Sequence, residues 1–279
     1  LYFSTDVIGA ILEADVIFIA VWTPMNSDGS ADLSAIKDVS KTIGENIKSY
    51  TLIATKSTVP IGTGEIINSI ISEHAPQSTI FDVVSNPEFL REGSAIKDAQ
   101  EPDRIVMGHA DPLALKTMQE LYKKHKCPKL ECSPRTAEFI KYASNSFLAT
   151  KISFVNEMAN MCNAWGMDFK EVAEGMGMDS RISPLFLRAG AGFGGSCFPK
   201  DVKALAAAAK SGKVDSKMLE AALEVNESQP MIVVEMAKER LGILKGKRIA
   251  VLGLAFKPET DDVRESRSEV VIRLSLIHI

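Results

Sequence analysis

Apolar residues come in two rhythms along the first 130 or so positions. Residues 14–21 form a continuous apolar run of strand length ending in Trp22-Thr-Pro24, and residues 32–47 repeat their apolar positions at helical spacing. The same unit returns as a strand over 51–55, a connection over 56–60 and a helix over 62–74. Residues 80–85 predict a further strand, 86–103 a long loop, and 104–107 a short strand. Runs apolar on both faces that alternate with helices predict a parallel sheet with right-handed crossovers, the doubly wound α/β class. Ligands in that class bind at the carboxyl ends of the strands, which singles out the loops at 22–31, 56–62 and 86–101.

From Ser133 the rhythm changes. Helical spacing persists over 133–166, too long for a crossover, and Pro134 suits a first helical turn. Phe139, Ala143, Phe147, Ile152, Val155 and Met158 give this helix an apolar stripe, and Lys141 and Asn145 lie four apart on one face. Further helices are predicted over 169–176, 200–210 and 216–244, which makes a helical middle domain whose long helix is suited to pairing with a second subunit. A strand signal returns over 246–256 and leads into a polar loop over 257–266, the pattern of the first strand of a second α/β domain. The expected organisation is therefore 1–133, a partial dinucleotide-binding domain; 134–244, a central helical domain; and 245–279, the beginning of a second Rossmann-like domain. A dinucleotide domain opens with a strand, a glycine fingerprint and a second strand ending in an acid; here the first residues read as a helix, so roughly 60 to 70 residues of the usual half are expected to be missing. Residues 274–279 continue no motif.

Composition narrows the class of protein. The 279 residues are 46% hydrophobic, ample for a core, and carry a net charge of −4 with no basic block, which argues against nucleic acid and anionic membrane as partners. No apolar run approaches a membrane span and no signal peptide opens the chain, so a cytoplasmic location is the expectation. Cys127, Cys132, Cys162 and Cys197 are scattered without metal-ligand spacing, which predicts reduced thiols and no metal site.

The densest chemistry lies in Gly190-Ala-Gly-Phe-Gly-Gly-Ser-Cys-Phe-Pro-Lys-Asp201. Pro199 suits a first helical turn, so Cys197 is expected just outside a helix N-terminus, where main-chain N–H groups and a neighbouring lysine favour the nucleophilic thiolate. The glycines would let a large substrate approach the sulfur, and Asp201 would hold a water or the lysine. Residues 190–195 formally match a dinucleotide glycine pattern, but 183–189 read as a loop or short helix rather than the buried strand that pattern requires. A free cysteine is more often a small buried hydrophobe, and the helix start and lysine are what argue otherwise here.

This segment resembles the active-site segment of the UDP-glucose/GDP-mannose dehydrogenase family. The resemblance runs from near residue 3 to about residue 268 and includes Lys56-Ser-Thr-Val-Pro60, Asn86-Pro-Glu-Phe-Leu-Arg-Glu-Gly93, Lys141 with Asn145, Ala255-Phe-Lys-Pro258 and Asp262-Val-Arg-Glu-Ser266. It implies oxidation of a sugar C6 alcohol to a carboxylate by two hydride transfers to NAD, with the intermediate held on Cys197 as a thiohemiacetal and then a thioester. Glu92 would be the general base for thioester hydrolysis, with Thr58 and Asp201 positioning water; Lys141 and Asn145 would stabilise the developing alkoxide and oxyanion. For the sugar nucleotide it implicates Glu88, Leu90, Phe186, Arg188, Phe193, Gly194, Phe256 and Lys257, with Arg181 reaching the site of a neighbouring subunit in a homodimer or larger homo-oligomer. For NAD it implicates Thr23, Ser57, Glu92, Lys200 and Arg264. Gly93 after Glu92 and residues 98–104 look more like the UDP-glucose branch; GDP-mannose and UDP-N-acetylhexosamines are the alternatives within the family. Outside it stand a thiol acyltransferase or hydrolase without a redox cofactor, for which no histidine lies near Cys197 in sequence, and a non-catalytic nucleotide-sugar binder.

Overall fold

The computed structural model describes residues 2–278, so the two terminal residues of the expected first and last segments lie outside the described residues. The chain forms two compact units with a boundary between Ala143 and Ser144, inside a long helix.

The first unit opens with α1 (Val7–Glu13), β1 (Val16–Ile19), α2 (Ser34–Asn46), β2 (Thr51–Thr55), α3 (Thr63–His74) and β3 (Phe81–Ser85). It continues through α4 (Ala95–Gln100), β4 (Ile105–Gly108), α5 (Pro112–Leu121) and β5 (Lys129–Cys132), and ends in the first turns of α6 (Pro134–Trp165). The strands lie in the order β1-β2-β3-β4-β5. β2 shows why its run is apolar throughout. Ile53 joins Ile36, Ile43, Ile67 and Ile71 from α2 and α3 on one face, while Leu52 and Ala54 join Met107, Ala114 and Met118 on the other. Side chains that alternate across a sheet covered on both sides leave no solvated face.

The sheet departs from the expected all-parallel arrangement at one place. β1, β2 and β3 pair in parallel, as do β4 and β5, but β3 and β4 run antiparallel through Ser85 and Gly108. The connection over 86–104 holds only the six-residue α4, about 9 Å of helix. It contains no crossover helix of the length that parallel neighbours need. α5 and β5 had no counterpart among the expected elements. β5 is four residues of mixed polarity, too short for a readable alternation, whereas α5 carries a local signal in Asp111-Pro112, an N-cap that accepts from Leu113 N.

The second unit takes the rest of α6 and adds α7 (Phe169–Gly177), α8 (Phe198–Ser211), α9 (Lys217–Leu241) and α10 (Arg267–His278). Ala149 of α6, Val202 of α8 and Phe193 of the glycine run form its core, with Leu219 and Leu223 of α9 against them. Polar ties fasten α6 to α9: Ser153 Oγ donates to the Ala222 carbonyl at 2.6 Å, and the Asn160 and Gln229 amides pair at 3.1 and 3.4 Å. The expected stripe on α6 divides between core and surface. Val155 is fully buried, whereas Phe139 and Phe147 are 49% and 69% exposed.

Residues 246–256 form no strand, contrary to expectation. Ile249, Val251, Leu252 and Leu254 are exposed, and no strand lies beside them among the described residues. An extended run without a neighbour has no ladder to satisfy its main chain, so local propensity alone does not make a strand. The chain turns back only after it, with Phe256 N donating to the Asp262 carbonyl at 3.0 Å.

Candidate active site

In the first unit the polar groups gather at the carboxyl ends of β1, β2 and β3. Thr23, nearly buried, donates its hydroxyl to the Thr58 carbonyl at 2.9 Å, and Ser57 donates to the Val21 carbonyl at 2.6 Å. Two strand-end loops are thus stitched together, and Thr58, half-buried, is held in place by its own main chain. Glu138, buried on α6, accepts from Gly62 N at 2.6 Å, Gly64 N at 2.8 Å and Ser85 Oγ at 3.2 Å. Burial pushes its carboxyl above the usual range, and the three donors oppose that.

Lys141 follows Glu138 by one turn. It is buried, and its Nζ reaches Glu88 Oε1 at 3.2 Å and lies 5.3 Å from the centre of the Phe89 ring. Glu88 also accepts from Leu90 N, so its carboxylate fixes the start of the loop that carries Leu90 and the half-buried Glu92. Lys56 and Asn86 stand beside this pair and were not singled out as site residues in the sequence. Asn86, 1% exposed, donates to the Val106 carbonyl at 2.7 Å and accepts from Tyr122 Oη at 2.6 Å and Lys56 Nζ at 3.3 Å. Burial lowers the Lys56 ammonium to about 8; Glu88 opposes the shift and Lys141 adds to it. The sequence signal for both was their place inside the two quoted motifs.

In the second unit Cys197 is the N-cap of α8, exposed, with Pro199 in the first turn as expected. Its sulfur lies 3.6 Å from Ser196 Oγ. Asp201, one turn in and 1% exposed, accepts from Lys200 Nζ at 2.7 Å on one oxygen and from Asn145 Nδ2 at 2.6 Å on the other. The carboxylate holds the lysine, one of the two roles foreseen for it, and it takes the Asn145 amide as well.

Packing within the unit gives three glycines of the run a requirement of their own. A Cβ on Gly192 would lie 2.5 Å from Asn226 Oδ1, one on Gly195 would lie 2.7 Å from the Phe256 ring, and one on Gly194 would collide with the Glu265 carbonyl. The protein's own packing therefore excludes side chains at these positions, whatever approaches the sulfur. Phe193 is 4% exposed and belongs to the core, so its ring packs inside the unit, edge-on to Phe198 at 6.3 Å. Phe186, Arg188 and Gly190 are exposed, and Phe186 adopts a left-handed φ of 62°. Arg181 chelates Asp179 two residues away at 2.6 Å and is otherwise open to solvent. Arg264 bonds Asp262 at 2.8 Å, and Lys257 lies 5.6 Å from the centre of the Phe256 ring.

The residues present suit part of a dinucleotide. Thr23 and Ser57 spend their protons on carbonyls, which leaves oxygen lone pairs for a donor such as a ribose hydroxyl or a carboxamide. A pyrophosphate wants free N–H groups at a helix N-terminus after a strand, and the α3 terminus, which has that position, is already filled by Glu138.

Residues 1–126 match the NAD binding domain of the UDP-glucose/GDP-mannose dehydrogenase family, and residues 135–228 match its central domain. The chain belongs to this family. It is 50% identical over 271 residues to the UDP-glucose 6-dehydrogenase YwqF of Bacillus subtilis, covering 97% of this chain and 62% of that enzyme. Among solved structures, a UDP-glucose dehydrogenase from Pyrobaculum islandicum superposes with a TM-score of 0.95 at 45% identity, over 99% of this chain and 65% of that one. A UDP-D-ManNAc dehydrogenase from Pyrococcus horikoshii gives 0.87 at 27% identity, over 99% and 66%. The chain thus spans a little under two thirds of the length of the curated relative. Among the described residues, no helix is long and apolar enough to cross a membrane.

Proposed function

We propose that this member of the family is the catalytic part of an NAD-dependent UDP-glucose 6-dehydrogenase, which oxidises the C6 alcohol of UDP-glucose to the carboxylate of UDP-glucuronate. The observation that carries the choice of sugar is the identity, 50% and 45% to proteins named for UDP-glucose against 27% to one named for UDP-D-ManNAc.

Bound NAD would accept a hydride in each of the two oxidations. The chain's own residues do the rest. The Cys197 sulfur adds to the C6 aldehyde to give a thiohemiacetal, and loss of the second hydride leaves a thioester. Water then breaks the C–S bond, returning the thiol and releasing the carboxylate. Glu92 takes the proton from that water, with Thr58 and Asp201 orienting it. Lys141 and Asn145 stabilise negative charge on the C6 oxygen, where a cation and an amide donor count most in the transition state. The half-buried Glu88, 3.2 Å from the Lys141 Nζ, suits Lys141 to this work because it holds the ammonium in place. Glu88, Leu90, Phe186, Arg188, Gly194, Phe256 and Lys257 are assigned to the sugar nucleotide, whereas Phe193, with its ring in the core and its main-chain N–H and carbonyl held by Asn226 and Arg267, supports them from behind. Thr23, Ser57, Lys200 and Arg264 are assigned to NAD.

The exposed ring row of Phe147 and Phe154 on α6, one heptad apart and followed at the same interval by Met161, suits pairing with a second copy of the chain. Arg181 would then serve the partner's substrate. Turnover of UDP-glucose, GDP-mannose and a UDP-N-acetylhexosamine measured side by side tests the assignment: UDP-glucose should be preferred, and preference for either of the others would overturn it.

A further inference from the structure

The loop over 190–196 that delivers Cys197 has no regular structure of its own, yet side chains from three helices grip its main chain. Asn226 of α9, 1% exposed, bonds both polar groups of one residue: its Oδ1 accepts from Phe193 N at 2.6 Å and its Nδ2 donates to the Phe193 carbonyl at 3.1 Å. Arg267, at the start of α10 and also buried, donates Nε to that same carbonyl at 2.9 Å and sets its two terminal nitrogens 3.3 Å from the Glu227 carboxylate. Asn156 of α6 accepts from Gly190 N at 2.8 Å, and Gly195 N donates to the Arg264 carbonyl at 2.9 Å.

We propose that Asn226, assisted by Arg267, is a positioning residue for the nucleophile: it fixes the Phe193 main chain and, through the Phe193–Phe198 ring contact, the start of α8 where Cys197 sits. A two-bond pairing of one carboxamide with one residue fixes that residue's orientation as a strand partner would, in a loop that has no strand partner. Phe198 directly follows Cys197 and packs on the Phe193 ring, so a shift of Phe193 is passed to the sulfur within a few bonds. Gly192 completes the fit. Its φ of 111° and the 2.5 Å that a Cβ would leave to Asn226 Oδ1 mean that loop and amide are shaped to one another.

The inference rests on the proposed function only for its turnover arm, so the experiment has two arms, run on the full-length gene product. The first follows alkylation of Cys197 by iodoacetamide against pH, read peptide by peptide to separate it from Cys127, Cys132 and Cys162. The second measures kcat and KM for NADH formation. In Asn226→Ala the alkylation profile should move, with a rate change of about fivefold or more at fixed pH. The same variant should lose kcat by about tenfold or more while the KM for the nucleotide sugar stays within about threefold, because misplacement of a reacting atom acts on the chemical step. Arg267→Lys, which keeps a charge for Glu227 but loses the Nε donor, should move both in the same direction by less, and it decides the matter if Asn226→Ala does not fold. Folded variants with the wild-type alkylation profile and wild-type kcat would overturn the proposal. A shifted alkylation profile in a protein that oxidises no nucleotide sugar would uphold the positioning role and sink the proposed function instead.

Discussion

Asn145 Nδ2 lies 2.6 Å from Asp201 Oδ2, with both side chains buried in the second unit. The residue assigned to an oxyanion is therefore already oriented by the carboxylate at the foot of α8, and Lys200 closes the same carboxylate from its other side.

Asp201→Ala should leave the Lys200 ammonium without its partner and the Asn145 amide without its acceptor. A loss of about 3 kcal/mol is expected from breaking a buried ion pair of this kind. Denaturant unfolding checks it; a midpoint within error of wild type would show that the pair is solvated rather than structural.

Gly194→Ala should be among the most damaging small substitutions in the chain, since its Cβ meets the Glu265 main chain and no flexible side chain can yield. A cost of about 3 kcal/mol follows from overpacking. Gly190→Ala, where a Cβ would meet nothing, should be tolerated. Equal thermal midpoints for the two variants would contradict the account of why these glycines are there.

Lys56 gives a pH signature with a definite sign. Its ammonium titrates near 8 in the folded chain against 10.5 for the ordinary group, chiefly because it is buried. Between those values the unfolded chain binds the extra proton, so this group makes folding more favourable as pH rises from about 8 to 10.5 and opposes it by a constant amount below 8. Lys56→Met removes that dependence. The stability of the variant relative to wild type should therefore fall as pH is raised from 7 to 10, as read by chemical denaturation at each pH; a difference independent of pH would mean that Lys56 is not buried as described.

Much of the architecture was legible because it rests on local pattern. β2 over Thr51–Thr55 and α6 over Pro134–Trp165 follow directly from a short apolar run and a long helical period. What was not legible depends on residues far apart in sequence. The antiparallel step at Ser85 and Gly108 is decided by the path of a loop, and the fate of 246–256 by whether another strand lies beside it. At the site, the places of Cys197 at the N-cap and Asp201 in the first turn were readable from the helix start between them. Asn226, which lies 33 residues from the main chain it holds, is in sequence only one amide within a helix. The packing that requires glycine at 194 and 195 was not legible, because the Glu265 carbonyl and the Phe256 ring that crowd them come from a segment some 60 to 70 positions later.

The most direct test of the proposed function is the number of NADH formed per UDP-glucose consumed by the full-length gene product. Two per sugar is the predicted result, and Cys197→Ser should abolish it, since a hydroxyl is a far weaker nucleophile than a thiolate at neutral pH. One NADH per sugar, or two in the Cys197→Ser variant, would contradict the covalent four-electron route.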